Sequence, residues 1–213
     1  MKTKLFLLSV AVMGLATSCQ QKPESQPLAD EIQYVDPFIG TGFHGHTFPG
    51  ATRPYAMVQL SPDTHIMGWD ASSGYHYDDH QIYGFSHTHL SGTGIGDLGD
   101  ILLLPFSGGD SIKPVATFKK ETEKATPGYY AVRLENLGVN VELTSTDRVG
   151  FHRYTFDNPK DRRVMLDLGH VLQPNWGHKL VSNDYQLVND STVEGTYKTQ
   201  GWAHFHSVSY RVT

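Results

Sequence analysis

Residues 129–143, YYAVRLENLGVNVEL, decide the fold class of this chain. Two stretches in which apolar and polar residues alternate are separated by the four residues ENLG at positions 135–138. Because successive side chains of a strand point to opposite faces, each stretch predicts a strand, and the glycine-containing segment between them predicts a turn. We therefore expect an antiparallel hairpin with one apolar face, formed by Tyr130, Val132, Leu134, Val139, Val141 and Leu143.

The chain on either side of this hairpin keeps the same alternation. After the first 19 residues, no window of twelve residues shows the 3.6-residue repeat that is typical of a helix. Further strands are predicted for DILLLPF (100–106), GFHRYTF (150–156), RVMLDLGH (163–170), STVEGTYKTQ (191–200) and AHFHSVSYRVT (203–213). The run DILLLPF is apolar, so we expect burial on both of its faces. Short strands at close spacing predict an all-β sandwich.

The last predicted strand reaches the end of the sequence without a turn or a polar tail. Its alternation would place five side chains on one face, namely His204, His206, Val208, Tyr210 and Val212. Since a domain rarely stops inside a strand ladder, we expect a truncated chain or an isolated N-terminal domain. A natural terminal strand is the alternative.

The N-terminus, residues 1–19, resembles the signal segment of a bacterial lipoprotein. Lys2 and Lys4 precede a short apolar run, and small residues lead to Cys19, the only cysteine. The apolar run is too short for a membrane-spanning helix. We expect lipidation at Cys19, a polar tether over residues 20–30, and a lipid-anchored location in the bacterial cell envelope, in the periplasm rather than on the cell surface. Ordinary secretion is the alternative.

The remaining residues, 31–213, are enough for one domain with a hydrophobic core. The whole sequence has 17 basic and 22 acidic side chains, a net charge of −5, and removal of residues 1–18 would take away two lysines and leave −7. No cluster of lysine or arginine is present. Because nucleic-acid binding depends on such basic patches, a nucleic-acid partner is excluded.

The segment FIGTGFHGHTFPGATRPYAMVQLSPDT (38–64) differs in amino-acid composition from the predicted strands. Its glycines and prolines are incompatible with a helix and predict a shaped loop, which usually serves a turn or a site. It carries the pair His44 and His46, and a second His-x-His pair is formed by His87 and His89. On a strand, such a pair shares one face and could bind a transition metal. Alternatively, the imidazoles hydrogen-bond within loops and hold them in shape.

Trp69 lies in a glycine- and serine-rich segment, beside Asp70 and near His76. A displayed indole offers a flat apolar face, and the neighbouring carboxylate and imidazole can bond hydroxyl groups. This combination suits a sugar ring, which has an apolar face and a polar rim. A tryptophan of the hydrophobic core is the alternative.

Three segments closely resemble the N-terminal part of glycoside hydrolase family 92, a family of exo-acting α-mannosidases. They are YVDPFIGTGFHGHTFPGATRPYAMVQLSPDT (34–64), GWD (68–70) and GYHYDDHQIYGFSHTHLSGTGIGDLGDILLLP (74–105). The predicted strands that continue to Thr213 are compatible with the same domain, but they carry no distinctive sequence motif of the family. The resemblance implies a supersandwich-like N-terminal β-sandwich that packs on a C-terminal (α/α)₆ barrel, with the active site between them. That barrel is absent from this chain.

The resemblance also implies a reaction. The family hydrolyses α-mannosides with inversion and needs Ca²⁺, which contacts the mannose that is cleaved. Inversion requires one carboxylic acid for the leaving oxygen and one carboxylate to activate water. In the family these groups and most calcium ligands belong to the barrel, so no catalytic residue and no metal ligand is expected here, and the chain alone should be inactive. The expected partners are a mannose-containing glycan, with α-1,2 linkages and N-glycans as specific expectations, and the missing barrel domain.

The resemblance places Trp69 in the subsite of the leaving-group sugar. The remaining residues expected to contact substrate, as pocket wall or as loop scaffold, are Asp70, Phe43, His44, His46, His87 and His89. Two other functions stay open. One is a non-catalytic carbohydrate-binding or interaction module, and the other is a metalloenzyme built on the His-x-His pairs.

Overall fold

The structure is a computed structural model that describes residues 30–109 and 111–213, of which Gln33–Thr213 form one compact unit. The predicted signal segment, Cys19 and all but the last residue of the predicted tether lie outside the described residues. Where the chain is described, it contains no helix with the length and apolar character needed to cross a membrane.

The described residues form fourteen strands and four short 3₁₀ helices, and they contain no α-helix. The strands are β1 Ala51–Thr52, β2 Gln59–Asp63, β3 Gln81–Ile82, β4 Gly84–Ser86, β5 Leu102–Phe106, β6 Ala116–Thr117, β7 Lys124–Thr126, β8 Tyr129–Leu134, β9 Val139–Ser145, β10 Gly150–Phe156, β11 Arg163–Asp167, β12 Lys179–Asn189, β13 Thr192–Gln200 and β14 His206–Val212. The 3₁₀ helices are Asp30–Tyr34, Trp69–Ala71, Lys120–Thr122 and Pro174–Trp176. The predicted all-β fold is confirmed.

Two antiparallel sheets build the sandwich. One has the strand order β1-β2-β4-β5-β11, and the other has the order β10-β9-β8-β7. They share one hydrophobic core, whose largest members from the first sheet are Leu60, Phe85, Leu104 and Phe106, and from the second Tyr130, Leu134 and Leu143. Burial of such side chains stabilises the fold by roughly 1.5–3 kcal/mol each. The strands β12, β13 and β14 form a third sheet, and β3 pairs with β6.

The hairpin predicted from residues 129–143 is formed by β8 and β9. Leu134 lies opposite Val139, and Tyr130 lies opposite Leu143. All six of its predicted apolar side chains are buried. The predicted strand at 100–106 is also confirmed, since every residue of β5 is buried.

Two sequence-based expectations about the C-terminal strands need correction. The strand β12 was not predicted, because its outer half is exposed on both faces and its pairing with β13 is interrupted by two register shifts, so apolar and polar residues do not alternate. His204 does not share a strand face with His206, because β14 begins only at His206.

Candidate functional site

An aromatic cluster on the surface is formed by Phe43, His44, His46 and Trp69. The rings of Phe43 and His44 lie 4.0 Å apart, and the indole of Trp69 is 5.1 Å from His44 and 4.4 Å from His46, measured between ring centroids. Trp69 is 50% exposed and Phe43 is 78% exposed. Trp69 is therefore displayed at the surface and is not a tryptophan of the core.

His44 of this cluster is paired with a carboxylate. The Nδ1 nitrogen of His44 is hydrogen-bonded to the Oδ1 oxygen of Asp70, and both side chains are about half exposed. Asp70 follows Trp69 in the same 3₁₀ helix, so the carboxylate and the indole are fixed to one another by the backbone. An apolar ring beside a carboxylate and an imidazole can contact the face and the hydroxyl rim of a sugar.

The loop that carries Phe43, His44 and His46 is tightly folded. Gly45 approaches the carbonyl group of Gly40 so closely that a Cβ atom would lie 1.9 Å from its oxygen. Phe43 and His46 have φ angles of 52° and 56°, which bulky residues rarely adopt. Such backbone conformations persist only where the surroundings enforce them, and they occur often at functional sites.

Hydrogen bonds connect this loop to the segment that follows Trp69. His46 is buried, and its Nδ1 nitrogen lies 3.0 Å from the hydroxyl of Ser72. The Nε2 nitrogen of His76 donates to the carbonyl oxygen of Phe43 at 3.2 Å. The loop and the Trp69 helix are thus one interlocked unit.

His89 lies in the interior, apart from the surface of this cluster. Its Nδ1 nitrogen lies 2.7 Å from the carbonyl oxygen of Gln59, and its Nε2 nitrogen lies 2.7 Å from Oδ1 of Asp63. Both ring nitrogens of His89 therefore have a hydrogen-bond partner inside the protein. His170 donates to the second oxygen of Asp63 at 2.8 Å.

The charge of this buried group is well compensated. Asp63 is completely buried, and burial alone would raise the pKa of its carboxyl group, but the attraction of His89 and the hydrogen bonds from His170 and His89 lower that pKa to about 2. The three side chains tie together β2, the loop after β4 and the connection between β11 and β12. His89 therefore acts in the scaffold of the loops, which is one of the two roles expected for it.

His87 is partly buried. Its Nδ1–H group donates to the carbonyl oxygen of Ile101 at 2.6 Å, its Nε2 nitrogen lies 3.0 Å from Nε2 of His152, and the hydroxyl of Tyr154 donates to Nδ1 of His152 at 2.7 Å. Burial lowers the pKa of His87, and burial together with the neighbouring His87 lowers the pKa of His152 to about 3. This neutral chain of rings links β10 to the loop after β4.

Metal binding by the His-x-His pairs finds no support in this geometry. Neither pair lies in a strand, and the first pair bonds to Asp70 and Ser72. Within residues 30–109 and 111–213, no group of three or more His, Cys, Asp or Glu side chains could hold a metal ion.

One residue of the site was missed by sequence reasoning. Gln173 is fully buried and bonds the backbone of Gly68, directly before Trp69. No local pattern marks it, because the two residues are 105 positions apart. Among the predicted residues, Phe43, His44, His46, Trp69 and Asp70 come together, whereas His87 and His89 do not join them at the surface; contact with a substrate stays a prediction for all seven.

Comparison with known proteins gives concordant matches. A family-wide profile described as "Glycosyl hydrolase family 92 N-terminal domain" matches residues 34–212. An "Uncharacterized secreted glycosidase" of Arthroderma benhamiae is 32% identical over 176 residues, which cover 75% of this chain and 22% of that protein.

Solved structures agree. A family GH92 α-mannosidase from Bacteroides thetaiotaomicron, in complex with mannoimidazole, matches with a TM-score of 0.80 and 37% identity over 84% of this chain and 24% of its own chain. A family GH92 inverting mannosidase of the same bacterium has a TM-score of 0.59 and 20% identity over 88% of this chain and 29% of its own, and it supports the fold alone. The chain thus spans about a quarter of the length of these relatives.

Proposed function

Because this chain belongs to the N-terminal domains of glycosyl hydrolase family 92, we propose that it is the carbohydrate-contacting domain of a two-domain, inverting exo-α-mannosidase. The substrate would be a glycan with terminal α-linked mannose, and α-1,2 linkages in N-glycans are the specific proposal. The chain would contribute one wall of the substrate site, and a C-terminal (α/α)₆ domain would contribute the other.

The observation that carries this proposal is the exposed indole of Trp69 beside the His44–Asp70 pair. A sugar that stacks on the indole would have hydroxyl groups within reach of a carboxylate and an imidazole. The interlocked loops keep this surface in shape before substrate arrives, and a preformed surface loses little entropy on binding. We propose that Trp69 contacts the sugar that leaves, and that Phe43, His44, His46 and Asp70 shape the wall around it.

The chemical step needs groups beyond this surface. Inversion requires an acid and a base on opposite sides of the sugar ring, separated by about 6.5–9.5 Å so that water fits between them. We propose that both carboxylates and most ligands of a required Ca²⁺ lie in the C-terminal domain. Positioning without the acid and the base gives no turnover, so this chain alone would be inactive.

The test compares mannose release from α-mannobiose by purified residues 20–213 alone and after addition of a family 92 C-terminal domain. Each assay is run with calcium and with a chelator. We expect no release by the chain alone, and calcium-dependent release by the combination. Release by the chain alone would refute the proposed division between the domains, and sugar binding without any release by the combination would favour a non-catalytic binding module.

The cellular location is a separate proposal. The curated relative is described as secreted, which agrees with export of this chain. We propose that lipidation at Cys19 anchors the protein in the bacterial cell envelope, on the periplasmic side. Metabolic labelling with a fatty-acid analogue tests it: wild-type protein should be labelled and a Cys19→Ala variant should not.

A further inference from the structure

The position of the Trp69 indole depends on the residue before it. Gly68 has a φ angle of 111° and immediately precedes the 3₁₀ helix Trp69–Ala71. The side-chain amide of Gln173 bonds both backbone groups of Gly68: its Oε1 oxygen accepts from the N–H group at 2.7 Å, and its Nε2–H group donates to the carbonyl oxygen at 2.8 Å. A primary amide can accept from the N–H group and donate to the carbonyl group of the same residue, as Gln173 does here.

Gln173 is itself fixed in place. Its side chain is completely buried, its φ angle is 55°, and its own N–H group donates to the carbonyl oxygen of Ile66 at 2.7 Å. Three hydrogen bonds from one residue therefore hold the segment 66–68. This residue has little freedom to move without moving that segment.

The loop that contains Gly94 and Gly96 contacts both Gln173 and Trp69. Gly96 presses against the Gln173 side chain, since a Cβ atom on Gly96 would lie 1.8 Å from Cγ of Gln173. Two residues earlier, Gly94 packs against the indole, since its Cβ atom would lie 3.1 Å from Nε1 of Trp69. The same short loop thus contacts both the anchor and the ring that it positions.

We infer that Gln173 is a positioning residue for Trp69, which sets how well the domain contacts the leaving-group sugar. This inference rests on the proposed function of Trp69. Gln173 is buried and would act through the Gly68 backbone, so its loss should affect substrates in proportion to how much they use the indole. A general loss of fold would affect all substrates equally.

The first experiment reads the position of the indole without any activity. Trp176→Phe and Trp202→Phe together leave Trp69 as the single tryptophan, because the sequence has three. Gln173→Met keeps the length of the side chain, but it removes both the donor to the Gly68 carbonyl and the acceptor of the Gly68 N–H group. Gln81→Met makes the same chemical change on an exposed side chain and serves as the control.

In this background we expect acrylamide to quench Trp69 about twofold more strongly in Gln173→Met, with no change in Gln81→Met. Circular dichroism establishes that each variant is folded. If Gln173→Met does not fold, Gln173→Leu, which also lacks both polar groups, replaces it. Unchanged quenching in a folded Gln173 variant would overturn the inference.

The second experiment uses the two-domain form and two substrates. We expect Gln173→Met to reduce kcat/KM for α-mannobiose about tenfold more than for an activated aryl α-mannoside, because a displaced subsite matters less when the leaving group is not a sugar. Equal losses on both substrates would contradict a positioning role. If quenching changes while Trp69→Ala affects both substrates equally, the anchor exists and the proposed role of Trp69 is wrong.

Discussion

The buried group of Asp63, His89 and His170 offers a sharp test of what holds the loop-rich half of the domain. Asp63→Asn removes the charge and replaces two acceptor oxygens by one acceptor and one donor. One of the two imidazoles then faces a donor where it had an acceptor. Because the side chains are buried, water cannot replace the lost partners.

The magnitude follows from the pKa of Asp63. A fall from the ordinary 3.8 to about 2 corresponds to about 2 kcal/mol of net stabilisation of the carboxylate in the folded state, at 1.36 kcal/mol for each pKa unit. The mismatch of two donors at one imidazole adds about 1–3 kcal/mol, the usual cost of leaving a buried polar group without a partner. We therefore expect Asp63→Asn to lower the free energy of unfolding by about 3–5 kcal/mol, a large share of the roughly 5–15 kcal/mol typical of a domain.

The pH dependence supplies a second signature. The folded pKa of Asp63 lies below the unfolded value, so its contribution is present above about pH 4 and is lost as the pH falls from about 5 to 2. The wild type should lose this part of its stability in that range, and Asp63→Asn should not. Asp63→Asn should therefore show a shallower fall of stability with acid.

The assay is urea unfolding followed by circular dichroism, at pH 7 and at steps down to pH 3. Asp190→Asn, at an exposed position in the turn between β12 and β13, is the matched control and should change stability by less than about 0.5 kcal/mol. The reasoning would be refuted if Asp63→Asn lowered the free energy of unfolding by less than about 1 kcal/mol at pH 7, or if Asp63→Asn and Asp190→Asn showed the same pH dependence.

Three further predictions concern the site and its support. In the two-domain form, Trp69→Ala should reduce kcat/KM for α-mannobiose more than for an activated aryl α-mannoside, and equal losses would rule out a role in the leaving-group subsite. Gly45→Ala should lower the melting temperature by several degrees, because its Cβ atom would lie 1.9 Å from the Gly40 carbonyl oxygen; an unchanged melting curve would show that the loop shifts freely. Burial and the neighbouring imidazole lower the pKa of His152 to about 3, so below about pH 6.5 the unfolded chain binds a proton there and the folded chain does not. The free energy of unfolding should therefore fall as the pH drops from 6.5 towards 3, and it should fall less steeply in His152→Gln. Parallel curves for the two proteins would contradict this.

The β8–β9 hairpin was predictable because its information is local. One apolar face and one turn specify Tyr130 opposite Leu143 without reference to the rest of the chain. The strand β12 lacks such a signal, since its outer residues contact solvent on both faces. The family motifs indicated Trp69, His44 and Asp70, and the structure brings these three together.

The roles of the histidines and of Gln173 could not be derived in this way. His87 and His89 belong to one His-x-His pair, yet His87 joins a neutral chain with His152 and His89 bonds to the carboxylate of Asp63. Sequence spacing gives neither the partner nor the protonation state, because both depend on residues that are distant in the chain. Gln173 has the same difficulty, since its partner is 105 positions away.

The long-range hydrogen bonds of Gln173 affect the order in which parts of the chain fold during synthesis. A ribosome makes the Trp69 segment well before residue 173. Until Gln173 has been made, the backbone of Gly68 cannot form its two hydrogen bonds with the side-chain amide of Gln173. Contacts between distant residues require closure of long loops and form late, whereas the hairpin at 129–143 can close as soon as it is made. We expect the surface formed by Phe43, His44 and Trp69 to be among the last parts of the domain to become ordered. In a nascent chain that stops before residue 173, Trp69 should have no fixed orientation.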